Sequence, residues 1–286
     1  TSLLLLCGAA SANPMYIDLG NNGYEVSPPN APDANSTTGQ FNEFGFSQLF
    51  ATSLYDYSDG SILGAFQDTN IASQLDFYNV VGATGTAVDG SSTVSLVSPN
   101  CAQGQCDIDA LSPLVPPLAS DSEGFLLTWD IQLEYNFTGT VGLNGPEYTG
   151  GTLDFYFNDF LNDANDRKVL TGTVTGSELN IANLDIFFDI TMAEQGWLYI
   201  DDGTGVFVDA YDGTQSGDYA TMVLDTNVNP PIPTDSQLLV VTDDDGNDWA
   251  IRQSTLDGSI ASAVAVPEPG TIAIMGLGLL GLGAVS

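Results

Sequence analysis

Residues 127–137 carry the clearest pattern in the chain. Leu127, Trp129, Ile131, Leu133, Tyr135 and Phe137 alternate there with Thr128, Asp130, Gln132, Glu134 and Asn136. Period-two alternation predicts a strand with one buried and one solvated face, as in an antiparallel sheet. Residues 150–160 repeat the pattern through Leu153, Phe155 and Phe157. Residues 43–57 place Phe44, Phe46, Phe50 and Leu54 on one parity, interrupted by Gln48 and Thr52, which favours strand over helix. Further short strands are expected at 74–84, 92–98, 178–192, 196–202, 205–211, 237–243 and 248–253, mostly bounded by Gly, Asp or Asn. No segment between the ends reads as a convincing amphipathic helix, and no clean repeat emerges. The pattern predicts an all-β protein, an antiparallel β-sandwich or jelly-roll-like fold.

Prolines and polar residues punctuate this pattern. Residues 13–40 are rich in Asn, Pro, Gly and Ser and read as a loose lead-in. Pro113, Pro116 and Pro117 mark residues 112–124 as a connector, expected to be a sub-boundary or a crossover between sheets. The ectodomain is expected to span 13–264, long enough to bury a sizeable core.

Charge changes the picture. Only Arg167, Lys168 and Arg252 are basic, against 37 acids and no His, for a net charge of −34. Such a chain repels nucleic acid and anionic lipid. With 43% hydrophobic and 10% aromatic residues it is nonetheless a folding sequence. The acids are scattered between strands, which suits solubility, salty water, or divalent-cation binding.

Candidate chemistry is sparse. Without His, the usual nucleophile–base pairs are missing, and a Ser–Lys pair would rest on Lys168, which reads as part of a solvated turn. Glu134 and Glu147 are the least loop-like acids and the candidates for a carboxylate glycosidase. Calcium is the one cofactor the sequence offers. Asp243, Asp245, Asn247 and Asp248 alternate oxygen ligands along a Gly-containing loop, as a hard cation needs, although no Glu closes the loop as in an EF-hand. Asp159, Asp163, Asn165 and Asp166 form a second such loop, and Asp201 and Asp202 a third. A hairpin turn uses the same residue types in all three. Trp197, Tyr199, Tyr211 and Tyr219 are candidates for stacking on sugars, as exposed aromatics of a calcium-dependent carbohydrate-binding module would. Cys101 and Cys106 are expected to form a local disulfide, since too few thiolates and no His are present for a metal site.

The two ends suggest a destination. Residues 1–12, TSLLLLCGAASA, read as the back half of a secretory signal peptide, with an A-x-A site at Ala10–Ala12 and the basic start expected upstream. Leu6 before Cys7 departs from a lipoprotein signal. Gly276, Gly278 and Gly281 match G-x-G-x-x-G formally, but no βαβ unit surrounds them, and they read as a small-residue stripe in an apolar segment.

Val266-Pro267-Glu268-Pro269, followed by the apolar run from Thr271, closely resembles the PEP-CTERM sorting signal, with Pro267, Glu268 and Pro269 as the motif. In that family the motif precedes a transmembrane helix and a short Arg-rich end. The run from Thr271 would make a helix of about 24 Å, a little short for a bilayer, and a fuller tail with arginines is expected. The resemblance implies a protein exported by a Gram-negative bacterium that makes exopolysaccharide. It further implies processing by an exosortase-type enzyme and a membrane-inserted C-terminal helix before that processing. It covers residues 265–286 and assigns no activity to the rest. The expectation is a non-enzymatic, structural or adhesive protein of the cell surface or extracellular matrix, of the biofilm or flocculation type, with exopolysaccharide as a partner.

Overall fold

The computed structural model describes residues 12–24, 35–98, 112–113, 121–181, 183–216, 220–228 and 230–264. Cys101, Cys106, Tyr219, residues 1–11 of the segment expected to be a signal peptide, and the tail from residue 265 lie outside these.

Eight strands dominate: β1 (Glu43–Asp56), β2 (Gly64–Thr69), β3 (Trp129–Gly142), β4 (Gly145–Asp159), β5 (Arg167–Asn180), β6 (Asn183–Ala193), β7 (Ala220–Asn227) and β8 (Asp248–Val264). Each pairs antiparallel with the next, and β8 returns to pair with β1. The all-β, antiparallel expectation holds, and the sheet closes on itself as an up-and-down barrel. Strands from both sides of the 112–124 connector share the one ring.

Closure rests on a long ladder from Trp249↔Asp56 to Ala261↔Glu43. The register shifts between Leu256 and Gly258, where β1 carries an extra residue. Gly258 is required there, because a Cβ would lie 2.1 Å from Asp225 O and 2.7 Å from the Phe46 ring. The bulge also flips the parity of β1. Phe44 and Phe46 belong to the main core, whereas Leu54 belongs to a second cluster on the outer face. The single parity expected for Phe44, Phe46 and Leu54 is therefore corrected.

Inside the barrel, Trp129, Ile131, Leu133, Tyr135 and Phe137 of β3 face Leu153, Phe155 and Phe157 of β4, all buried. The alternation read in the sequence thus begins at Trp129. Leu127 sits in the preceding turn and is 67% exposed.

One end, here called the base, carries the starts of β3, β5 and β7 and the end of β8. A small sheet, Met15–Ile17, Leu198–Asp201 and Phe207–Asp209, lies against it. Met15, Ile17, Trp197, Leu198 and Ile200 join the barrel core from below. Asn13 N donates to Ser262 O at 3.1 Å, tying this strap to β8.

Outside the barrel, Leu75, Val80 and Leu96 cover Leu54 and Ile251. The strand expected over 74–84 opens as helical turns instead, through Ala72–Leu75 and Asp76–Tyr78, and strand begins only at Thr84. Leu75 and Tyr78, three residues apart, both reach this cluster, and Asn79 ends the turn in the left-handed region at φ 55°. A second unexpected helix, Ala210–Ser216, follows the base sheet.

Ile181 at the tip between β5 and β6 has φ 62° and is 90% exposed. A β-branched residue pays for that conformation with no packing in return. Ile181→Asn is expected to raise the unfolding free energy by about 1 kcal/mol, read from urea melts. A loss of stability would show that the side chain contributes more than its backbone strain costs.

Candidate functional site

The acids that sequence reasoning singled out are held by turns. Asp243 follows the strand Leu239–Thr242 and is 5% exposed. Its Oδ1 accepts from the Asp245 and Asn247 amides at 3.0 and 2.8 Å. Its Oδ2 accepts from Trp249 Nε1 at 2.9 Å and Asn247 Nδ2 at 3.1 Å. Burial alone would raise its pKa, but the bonds from Asn247, Trp249 and Asp245 outweigh this and hold it below the usual carboxylate range. Asp248 accepts from Thr242 Oγ1, while Asp245 contributes its amide to the turn.

The other two loops repeat this device. Asp159, 1% exposed, accepts from Tyr24 Oη, Asn165 Nδ2 and the Leu161 and Asn162 amides. Asp166 accepts from the Asp159 amide. Asp201 accepts from the Gly203 and Gly205 amides, and Asp202 from Thr204. Each leading carboxylate spends its lone pairs on N–H and O–H donors, which suits a turn. Among the described residues no three His, Cys, Asp or Glu side chains converge as a metal would need. A cation at residues 243–248 would have to displace donors that organise the loop.

Glu134 and Glu147 stand apart. Glu147 pairs with Thr140, six residues along β3 from Glu134, so about 20 Å of strand separates them. Glycosidase carboxylates stand roughly 5–9.5 Å apart. Trp197 is 2% exposed and belongs to the core. Tyr199 instead stacks on Tyr16, with centroids 4.8 Å apart and planes at 10°, and Phe207 lies 5.0 Å from Tyr16. These three half-buried rings form an aromatic cluster on the base sheet, opposite the face that carries Met15, Ile17 and Leu198. Tyr211 packs against the core.

All three cations are engaged. Arg167 pairs with Glu194 at 2.7 Å and lies over Phe157, while Lys168 pairs with Asp154 at 2.6 Å. Both belong to the start of β5 rather than to a free turn. Arg252, 6% exposed, points into the barrel and donates to Pro230 O at 3.1 Å.

Arg252 belongs to a buried polar cluster that sequence reasoning missed. Asp68 of β2, 5% exposed, accepts from Tyr148 Oη at 2.9 Å, and Ser53, Tyr55 and Tyr135 surround it. Two cavities of about 20 Å³ flank it, each with room for about one water. Burial pushes the Asp68 carboxyl up to about 6, against the hydrogen bond from Tyr148 and the charge of Arg252. Burial likewise pushes Tyr55 up to about 12. Aspartate at 68 alternates with Phe66 on the inward face of a short strand, and only the closed ring reveals what it meets.

The structured ring runs directly into the tail, for β8 ends at Val264. Residues 265–285 match the PEP-CTERM protein-sorting motif. The chain carries a PEP-CTERM sorting signal. No curated protein and no solved structure matches the chain. The PEP-CTERM motif marks an exported protein, sorted by exosortase to the cell surface of a Gram-negative bacterium. No helix among the described residues is long and apolar enough to cross a membrane.

Asp68 gives stability a pH dependence of definite sign. Its folded pKa of about 6 exceeds the roughly 3.9 of an unfolded chain, so its contribution is complete below about pH 4 and lost as pH rises through about 6. Relative to Asp68→Asn, the native protein should lose about 3 kcal/mol between pH 4 and 7 in urea melts. A constant difference across that range would remove the Asp68 charge from the account. At the surface, Asp243→Ala with Asp245→Ala should lower the melting temperature equally in EDTA and in millimolar calcium. A calcium-dependent rise that this double variant alone loses would restore a cation to the loop.

Proposed function

We propose that the protein is a non-enzymatic structural component of the cell surface or extracellular matrix, associated with exopolysaccharide in a biofilm or floc. The observation that carries this reading is a barrel whose interior is filled by its own aromatic and aliphatic side chains. An eight-stranded barrel can hold one small ligand or be filled, and among the described residues the two cavities beside Asp68 are each about 20 Å³. Such a body has surface to offer rather than an interior. That surface is acid-rich and suits a hydrated, salt-bathed polymer gel.

The tail supports the same reading mechanically. It follows β8, which is hydrogen-bonded to β1 on one side and to β7 and the strand Leu239–Thr242 on the other. A pull on the tail therefore loads the most extensively paired strand of the ring.

Polysaccharide as partner draws on the Tyr16, Tyr199 and Phe207 cluster. Flat aromatic faces stack on sugar rings, and the neighbouring Asp18 and Asp209 supply acceptors for hydroxyls. Affinity electrophoresis through exopolysaccharide from a floc-forming culture tests this. The native protein should be retarded, and Tyr199→Ala should lose about tenfold in affinity, the order of 1.4 kcal/mol. Equal mobility with and without polysaccharide would defeat the polysaccharide reading.

A further inference from the structure

The base of the barrel presents two apolar turns to solvent. Leu126 and Leu127 lie just before β3, exposed by 50% and 67%. Phe160 and Leu161 lie just after β4, exposed by 48% and 61%. Phe160 N donates to Thr128 O at 2.9 Å and ties the two turns together, while Leu126 N closes the first turn onto Trp129 O at 2.7 Å. Four large apolar side chains thus project from one place on a chain of net charge −34. Water is a poor reason to keep them there.

The tail leaves from the same end. Val264 pairs with Ala220 at the base, and Ala261 with Glu43. Only residues 265–270 separate β8 from the apolar run that starts at Thr271. Six residues span at most about 20 Å even when fully extended. With residues 271–286 embedded in a bilayer, the base is held within that distance of the headgroups and the hairpin at Leu143 faces away.

We propose that the turns 126–127 and 160–161 form a membrane-contact surface, seated in the headgroup region of a zwitterionic bilayer while the tail is still attached. The inference rests on reading residues 271–286 as membrane-embedded. Zwitterionic lipid is specified because an acidic chain repels an anionic surface. The contact orients the barrel on its short tether and keeps the Pro267–Pro269 segment in the narrow gap that a membrane-bound sorting enzyme works in. Once the tail is cut, the tether is gone and the base becomes free.

The test uses the full chain in phosphatidylcholine vesicles, with an environment-sensitive fluorophore attached through an encoded azide at one position per sample. Positions 127 and 161 report on the base, 278 on the tail, and 143 on the far end. Leu143 is 83% exposed, so it controls for apolar exposure alone. Lipids carrying a nitroxide in the acyl chain serve as quenchers. Quenching at 278, together with quenching at 127 and 161 at least threefold greater than at 143, is the expected result. Quenching at 278 with 127 and 161 matching 143 would overturn the surface while leaving the anchor intact. No quenching at 278 would remove the premise, and the proposal with it. Protection at 127 and 161 that appears only when the sorting enzyme is added would reassign the surface to a protein partner and overturn the bilayer.

Discussion

Everything else in this protein depends on the pairing of β1 with β8. These strands lie about 200 residues apart in sequence, yet they share a ladder from Trp249↔Asp56 to Ala261↔Glu43. Without it, the remaining strands would be an open sheet with two long free edges, an invitation to aggregate. With it, one face of every strand lines a closed core. The closure also fixes the ends. The strap at Asn13 is tied to Ser262, and β8 ends two residues later, so the strap and the start of the sorting tail lie together at the base. The second apolar cluster then covers the outside of the closing seam at its far end, where Leu75, Val80 and Leu96 pack over Leu54 and Ile251.

A second constraint is the near absence of cations. With 37 acids and three bases, most carboxylates cannot find a salt-bridge partner. The fold answers by pairing them with amides and hydroxyls. Asp159, Asp201, Asp202 and Asp243 each begin a turn and accept its backbone N–H groups. These bonds need no counter-charge and survive high salt, which screens exposed ion pairs. Asp68 instead enters the barrel interior, beside Arg252 and three tyrosines. A buried carboxylate so placed is costly when ionised and adds specificity to the barrel's packing only as part of a satisfied network.

Local pattern made the strands legible and left their assembly dark. The alternation in β3 and β4 is unmistakable because each has one wet face. The closure is invisible, because nothing in residues 43–56 names residues 248–264 as their partner. The β1 bulge shows the limit most clearly. A one-residue insertion moves Leu54 to the other face while Phe44 and Phe46 stay inside, and no periodicity announces it. Helical turns at 72–78 were hidden by the β-prone residues Phe77, Tyr78 and Val80. At the candidate site, the Asp-rich loops were found by composition, but their geometry is that of Asx turns, which use the same letters. Asp68 was missed because a single aspartate in a short strand carries no signal until its neighbours in space are known. The sorting motif was fully legible, since it is a linear signal and needs no fold.

The measurement that bears most directly on this account is native-state hydrogen exchange of the β1 and β8 amides. In a closed barrel, the amides of Leu54, Ile251 and Ile260 exchange only by global unfolding, with protection equal to that of Ile131 and Phe155 in the middle of the sheet. Exchange at β1 and β8 that is orders of magnitude faster than at β3 and β4 would mean that the seam is open, and the ring, the base and the exit of the tail would all have to be redrawn.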